Sequence, residues 1–453
     1  MAITRRDLVR GFGAGVLGAG ALTGCGPGRR GGGPTSPPPS APKLTEPDTP
    51  LVIGQIGAAY GRMAVFEEAI AVSIEEAQID VNARWGGLFG HEVVLLDRYV
   101  MQEPGEDLAP VIEDLAGEGA TCLITSIDEE SLIAAMPAVV EAGLAVIDVF
   151  TSGMDVRAEE VQTSNLLMRL APDDRILAVQ YGDIALGADS DKGGAQGTVA
   201  FVSEDTSQGR SLRQELELYL NPLGGRIVSE QFYAVGDIGD IGARVKQVLK
   251  EPPALLVLNG GQESASFLSA LHEATADEDG RRTIEIPAQL SPAATVDYSQ
   301  LPIAEELAPE CLTSAAGFQP GGEITGEHEA MMLNRSSGFL RTGYAYSQQG
   351  YDAFTMACLA AQHALSVTGT ALAAAVPSIL TGAESCTDYE ACRRVMRTAL
   401  EAQGRATVAY VGRSGKLELG PRSDARIGEM RRYGWSAENV LEEGTATSFE
   451  AAG

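Results

Sequence analysis

From residue 51 onward the chain repeats one unit, a short apolar run closed by a turn and then a stretch with apolar residues at helical spacing. The run LVIGQIG leads to Phe66, Ile70, Ile74, Ala77 and Val81, which share one helix face. HEVVLLD predicts a second strand, Leu108 to Leu115 a helix, TCLIT a strand, Leu132 to Glu141 a helix, and LAVIDVF a fourth strand, completing a first lobe by about residue 165. The unit then restarts. GTVAFVSED, GRIVSEQFY, ALLVLNGG and IEIPAQL predict strands, separated by helices at Ser211 to Leu220, Ile241 to Leu249 and Ser264 to Glu273. Strands that are apolar along their whole length are covered on both faces, so each set predicts a parallel sheet with helices on either side. The expected class is α/β, with two doubly wound lobes.

In an open parallel sheet, ligands sit outside the carboxyl ends of the strands. Function is therefore expected in the loops Gly57–Gly61, Ser126–Ser131, Phe150–Met154, Ser203–Arg210, Asn259–Glu263 and Ser291–Ala294.

Ahead of this body stands TRRDLVRGFGAGVLGAGALTGC. Gly13-Ala14-Gly15-Val16-Leu17-Gly18 fits the G-x-G-x-x-G pattern, but no strand precedes it, and a dinucleotide loop works only between a strand and a helix. Basic residues followed by an apolar run from Gly11 to Leu22, too short to span a bilayer, predict a secretory signal over residues 1–24. Thr4 to Arg10 resembles the twin-arginine export signal, although paired arginines serve general secretion equally well. Leu22-Thr23-Gly24-Cys25 looks like a bacterial lipobox, which implies a lipid on Cys25 and a chain anchored to the outer face of the bacterial cell membrane. Residues 26–50 contain 13 Gly or Pro and no apolar periodicity, so 25–50 is expected to be a flexible tether reaching roughly 80 Å.

The chain carries a formal charge of −29, and the first 24 residues hold a net +2, leaving the rest near −31. So acidic a surface repels nucleic acid and anionic lipid. Removing Cys25 leaves five cysteines. Cys386 and Cys392 lie close in sequence and are the expected disulfide, Cys122 sits inside an apolar strand as a small buried residue, and a Cys311–Cys358 pair is left open. His91, His272, His328 and His363 lack metal-ligand spacing, so neither a metal nor a cofactor is expected.

Four stretches carry a resemblance: Tyr60-Gly61, Val81 to Gly90 (VNARWGGLFG), Ser203 to Gly209 (SEDTSQG) and Tyr351-Asp352-Ala353. In their order and separation the chain resembles the type I periplasmic solute-binding proteins, the group that includes leucine/isoleucine/valine receptors of ABC importers. Trp85 is one residue more than the usual spacing. The resemblance implies three crossings near residues 170, 317 and 415, with 51–170 and 318–414 in one lobe, 171–317 and 415–435 in the other, and 436–453 as a tail. It also implies a monomer whose lobes close on a solute for a permease to detect. No G-x-S-x-G, H-E-x-x-H or P-loop is present, in keeping with binding rather than catalysis.

Carried over residue by residue, the resemblance puts Tyr60, with Gly61, against the solute side chain, and Ser152, beside Phe150 and Thr151, on the solute carboxylate. Glu129 or Glu130 falls where a serine usually donates to that carboxylate, unless Ser126 or Ser131 takes the role, and both acids also suit a solvated helix start. Asp205, Gln208, Gly261, Gln262 and Ser291 complete the candidates, with Gln208 replacing an aromatic residue and Ser291-Pro292 standing where an acid usually meets the solute ammonium. A carboxylate facing a carboxylate in a closed cleft is repulsive. These replacements tilt the expectation toward a cationic, amide-like or otherwise polar relative of an amino acid. A ligand sensor or cell-surface interaction protein on the same fold is the alternative.

Overall fold

The computed structural model describes residues 44–188, 193–278 and 282–450. The expected signal, Cys25 and most of the tether lie outside the described residues. The strands are β1 (Val52–Ala58), β2 (Val94–Leu95), β3 (Tyr99–Met101), β4 (Cys122–Ser126), β5 (Ala145–Asp148), β6 (Leu167–Pro172), β7 (Ala195–Glu204), β8 (Arg226–Tyr233) and β9 (Pro253–Asn259). Then come β10 (Ala288–Leu290), β11 (Ala315–Pro320), β12 (Glu384–Cys386), β13 (Val408–Gly412), β14 (Gly415–Lys416), β15 (Glu418–Leu419), β16 (Asp424–Trp435) and β17 (Leu441–Glu450). The helices are α1 (Glu67–Ile79), α2 (Ala109–Gly117), α3 (Glu129–Ala142), α4 (Asp174–Gly187), α5 (Ser207–Leu220) and α6 (Ile241–Leu249). They continue with α7 (Glu263–Thr275), α8 (Gly326–Arg335), α9 (Phe339–Thr342), α10 (Ser347–Ala364), α11 (Gly369–Leu380) and α12 (Tyr389–Glu401).

The main sheet runs β2-β1-β4-β5-β6-β16-β11-β10-β9-β7-β8. On either side of β16 every pair along this path is parallel, as the apolar strands predict. Strand β16 closes the two halves together: its start pairs parallel with β6 and its end pairs antiparallel with β11. The α/β class and the two doubly wound lobes are as the sequence implies. One apolar cluster includes Ile53, Ile124, Ile147 and Phe354, and the other Leu256, Leu258, Phe267 and Leu290. Helix α10 is buried from Ser347 to Gln362 and packs against α1 and α11.

Several elements differ from the pattern read along the chain. HEVVLLD yields only the two-residue β2, with β3 following it, because both are short edge pieces sharing the outer side of β1. IEIPAQL contributes only Ala288–Leu290, since Pro287 has no N–H to donate. The chain passes between halves at β6, β11 and β16, whereas Gly415 lies in the short β14, which pairs with β13. Within 436–453, Leu441–Glu450 is a strand paired along β16. Cys386 and Cys392 are joined by a disulfide with a Cα–Cα distance of 5.3 Å, while Cys122, Cys311 and Cys358 are buried thiols. Cys311 and Cys358 belong to different apolar clusters.

Candidate functional site

The carboxyl ends of both sets of parallel strands meet across one cleft. Arg62 and Ser152 follow β1 and β5, Gln208 stands in the first turn of α5 after β7, Asn259 ends β9, and all four line a cavity with Tyr346, Tyr181 and Phe318. Its void, open mouth included, measures about 400 Å³, and little of it is enclosed, so a solute enters as the lobes part.

Glu129 begins α3 and is 1% exposed. Its Oε1 accepts from the backbone N–H groups of Ser152 at 3.1 Å and Gly153 at 3.2 Å. A methyl group on Gly153 would stand 2.8 Å from Glu129 Cγ, so glycine at this point admits the carboxylate. The other oxygen pairs with Arg62 Nη2 at 3.4 Å, and the Arg62 guanidinium lies 4.9 Å from the centre of the Phe150 ring. The protein's own carboxylate thus fills two converging amides, and its partner cation faces the cavity. Phe150, Tyr346 and Phe66 form an aromatic cluster behind them.

Glu130 points elsewhere. Its Oε1 accepts from Ser207 N–H, at the start of α5 in the opposite lobe, at 2.8 Å. Ser207 Oγ donates to Asp155 at 2.6 Å, and the N–H of Met154 donates to Ser211 Oγ at 2.9 Å. Acids from one lobe therefore hold a helix N-terminus of the other, where the helix dipole favours negative charge. Burial raises the Glu130 carboxyl, against the lowering effect of the Ser207 hydrogen bond.

On the second lobe, Gln208 Nε2 donates to Asp174 Oδ1 at 3.0 Å and its Oε1 accepts from Asn259 Nδ2 at 2.8 Å. Asp174 is fully buried at the start of α4, and that burial pushes its carboxyl up to about 7.

The remaining candidates lie around this centre. Tyr60 is half-buried and donates its hydroxyl to Asp128, which also accepts from Ser131 N–H and Oγ, so Tyr60 and Ser131 are engaged with each other's neighbour rather than with the cavity. Thr151 gives both its N–H and its hydroxyl to Asp148 at 2.7 Å. Asp205 is exposed and pairs with Arg210. Gly261 N–H donates to Glu263 at 2.7 Å, Gln262 sits at the start of α7, and Ser291 donates to the Gly260 carbonyl. Ser126 is buried at the end of β4. Gly61 has φ +52°, and a Cβ there would meet Val235 of the other lobe at 2.9 Å, so a larger residue would prop the cleft's rim.

Arg62, Asp174 and Tyr346 escape the reading of the sequence as site residues, and Asn259 enters it only as the first residue of the loop Asn259–Glu263. Arg62 had a signal of its own, as a lone cation in the otherwise uncharged stretch GAAYGRMAVF directly after an apolar strand of an acidic chain.

The sequence matches the family described as Periplasmic binding protein over residues 50–381. No curated protein sequence matches significantly. Among solved structures, the branched-chain amino acid transporter substrate-binding protein LivJ from Streptococcus pneumoniae, in complex with isoleucine, is 12% identical with a TM-score of 0.61 and covers 89% of this chain and 100% of its own. A solute-binding protein of an ABC transporter from R. palustris, in complex with benzoate, is 14% identical with a TM-score of 0.60 over 89% and 98% of the two chains. An ABC transporter substrate-binding protein from Desulfitobacterium hafniense, in complex with Leu, is 15% identical with a TM-score of 0.57 over 87% and 100%. At such identities the likeness is one of fold, and it agrees with the two lobes and crossing strands described above. With the family match spanning most of its length, this chain belongs to the periplasmic binding proteins.

Proposed function

We propose that this chain is an extracytoplasmic receptor that captures a small polar solute, an amino acid or a relative of one, and presents it to an ABC importer. One observation carries this reading: residues of both lobes, Arg62 and Ser152 from one and Gln208 and Asn259 from the other, line a single cavity at the carboxyl ends of the strands. A solute seated there touches both lobes and so favours the closed arrangement over an open one, by as much as its affinity for the two differs. The role requires no covalent step. A lipid on Cys25 and the Gly/Pro-rich tether would hold the folded body at the membrane near the permease. The solutes named with related structures, isoleucine, leucine and benzoate, are small and carry a carboxylate.

Solute-uptake measurements on cells with and without the chain test the importer role, alongside thermal titration of the purified protein with amino acids, amides, amines and organic acids. Saturable stabilisation by a solute whose uptake falls when the chain is removed supports it. A solute that binds without any effect on uptake favours a sensor, the second reading, toward which the occupation of the Ser152 and Gly153 amides by Glu129 points.

A further inference from the structure

Resting on the receptor reading, we propose that the solute is a monocarboxylate with an apolar or aromatic body, held by Arg62, and that it needs no ammonium group. Glu129 already occupies the converging Ser152 and Gly153 N–H groups, so those donors are closed to an incoming carboxylate. Arg62 is the cation left facing the cavity. Its side chain is 11% exposed, and among the described residues its only hydrogen bond is the 3.4 Å contact with Glu129, although a guanidinium carries five N–H donors in a planar fork. A half-satisfied buried cation gains most from a planar anion that takes two parallel hydrogen bonds.

The rest of the cavity restricts the class further. Leu177, Tyr181, Phe318 and Met430 form an apolar wall that suits a hydrocarbon or aromatic body. An amine would set a second positive charge beside Arg62, and a phosphate dianion would face Glu129 and Asp174 in poorly hydrated surroundings. Glu129 is bonded to Arg62, and Asp174, bonded to Gln208 through Oδ1 and without a partner among the described residues on its buried Oδ2, does not line the cavity, so neither is placed to receive an ammonium.

The test keeps the body constant and changes the head. Benzoate, benzamide and benzylamine, and separately 4-methylpentanoate and leucine, are titrated by calorimetry into the full chain and into Arg62→Lys and Arg62→Gln variants, each checked for native circular dichroism. The expected result is that benzoate or 4-methylpentanoate binds about 10- to 100-fold more tightly than its amide or amine counterpart, that leucine gains nothing over 4-methylpentanoate, and that Arg62→Gln removes the carboxylate preference. Arg62→Lys retains part of it, because the charge stays and the fork is lost. Tighter binding of benzylamine or benzamide, a strict need for the leucine ammonium, or a carboxylate preference unchanged in Arg62→Gln overturns the assignment while leaving the receptor intact. Absence of binding by all five compounds overturns the assignment, whereas the receptor reading falls only if the wider panel of amino acids, amides, amines and organic acids also fails to stabilise the chain.

Discussion

Arg169 and Asp424, 255 residues apart in sequence, meet at 2.6 Å where β6 and β16 lie side by side at the centre of the sheet. Arg157 joins the same carboxylate at 2.8 Å, and Arg169 Nη1 donates to the Gly153 carbonyl at 2.6 Å. The crossing strands are thereby tied to the loop whose amides hold Glu129. Burial pushes the Asp424 carboxyl up, but the guanidiniums of Arg169 and Arg157 pull it down by more, and it ends below the usual range.

Removing this acceptor strands two buried cations. Asp424→Ala is expected to lower stability by about 3–5 kcal/mol, measured by urea unfolding at neutral pH. In the unaltered protein the contribution of a depressed carboxyl is present above its unfolded value near 4 and is lost as pH falls through the lower folded value. Asp424→Asn should flatten that acid limb.

Asp174 acts in the opposite sense. Burial raises its carboxyl to about 7, so between about 4 and 7 the folded chain holds a proton that the unfolded chain has released. Its contribution is therefore fully present below about 4 and disappears as pH climbs through about 7. Asp174→Asn keeps an acceptor for Gln208 and is expected to raise stability at pH 8 by about 2–4 kcal/mol while changing little at pH 4, read from unfolding midpoints at the two pH values.

Much of the fold was open to inspection in the chain because both lobes rely on fully apolar strands, such as TCLIT and ALLVLNGG, whose burial on two faces leaves a plain signature. Strand β6 hides from that signature because Arg169 lies in its middle, and the distant Asp424 and the Gly153 carbonyl make a buried arginine tolerable there. Strand β16 was equally hard to read, since it carries the buried charges Asp424 and Arg431 and pairs with β6 and β11 far earlier in the chain, and β17, largely exposed, pairs with β16. At the site, the loops were legible and the partners were not. Whether Glu129 meets a solute or its own protein depends on Gly153 and Arg62, from two other loops, and no local pattern records that meeting.

The Glu129 contacts yield a prediction of unusual direction. Glu129→Gln keeps an acceptor for the Ser152 and Gly153 N–H groups but withdraws the charge that competes for Arg62, so carboxylate binding should tighten by about tenfold in calorimetry.

The lobes are bonded to one another across the cleft through Ser207, whose N–H and hydroxyl go to Glu130 and Asp155. Replacing both acids by alanine should leave each lobe folded and favour the open form. Small-angle scattering of the solute-free protein is expected to show a larger radius of gyration for the double variant than for the unaltered chain, and added solute should narrow the difference.

The most direct measurement of the central claim is thermal titration of the unaltered chain, beside Arg62→Gln, against a library of small amino acids, organic acids, amides and amines. Saturable, one-to-one stabilisation by at least one small carboxylate, strongly reduced in the variant, is the expected result. A chain that no compound stabilises, or one stabilised equally with and without Arg62, would contradict it.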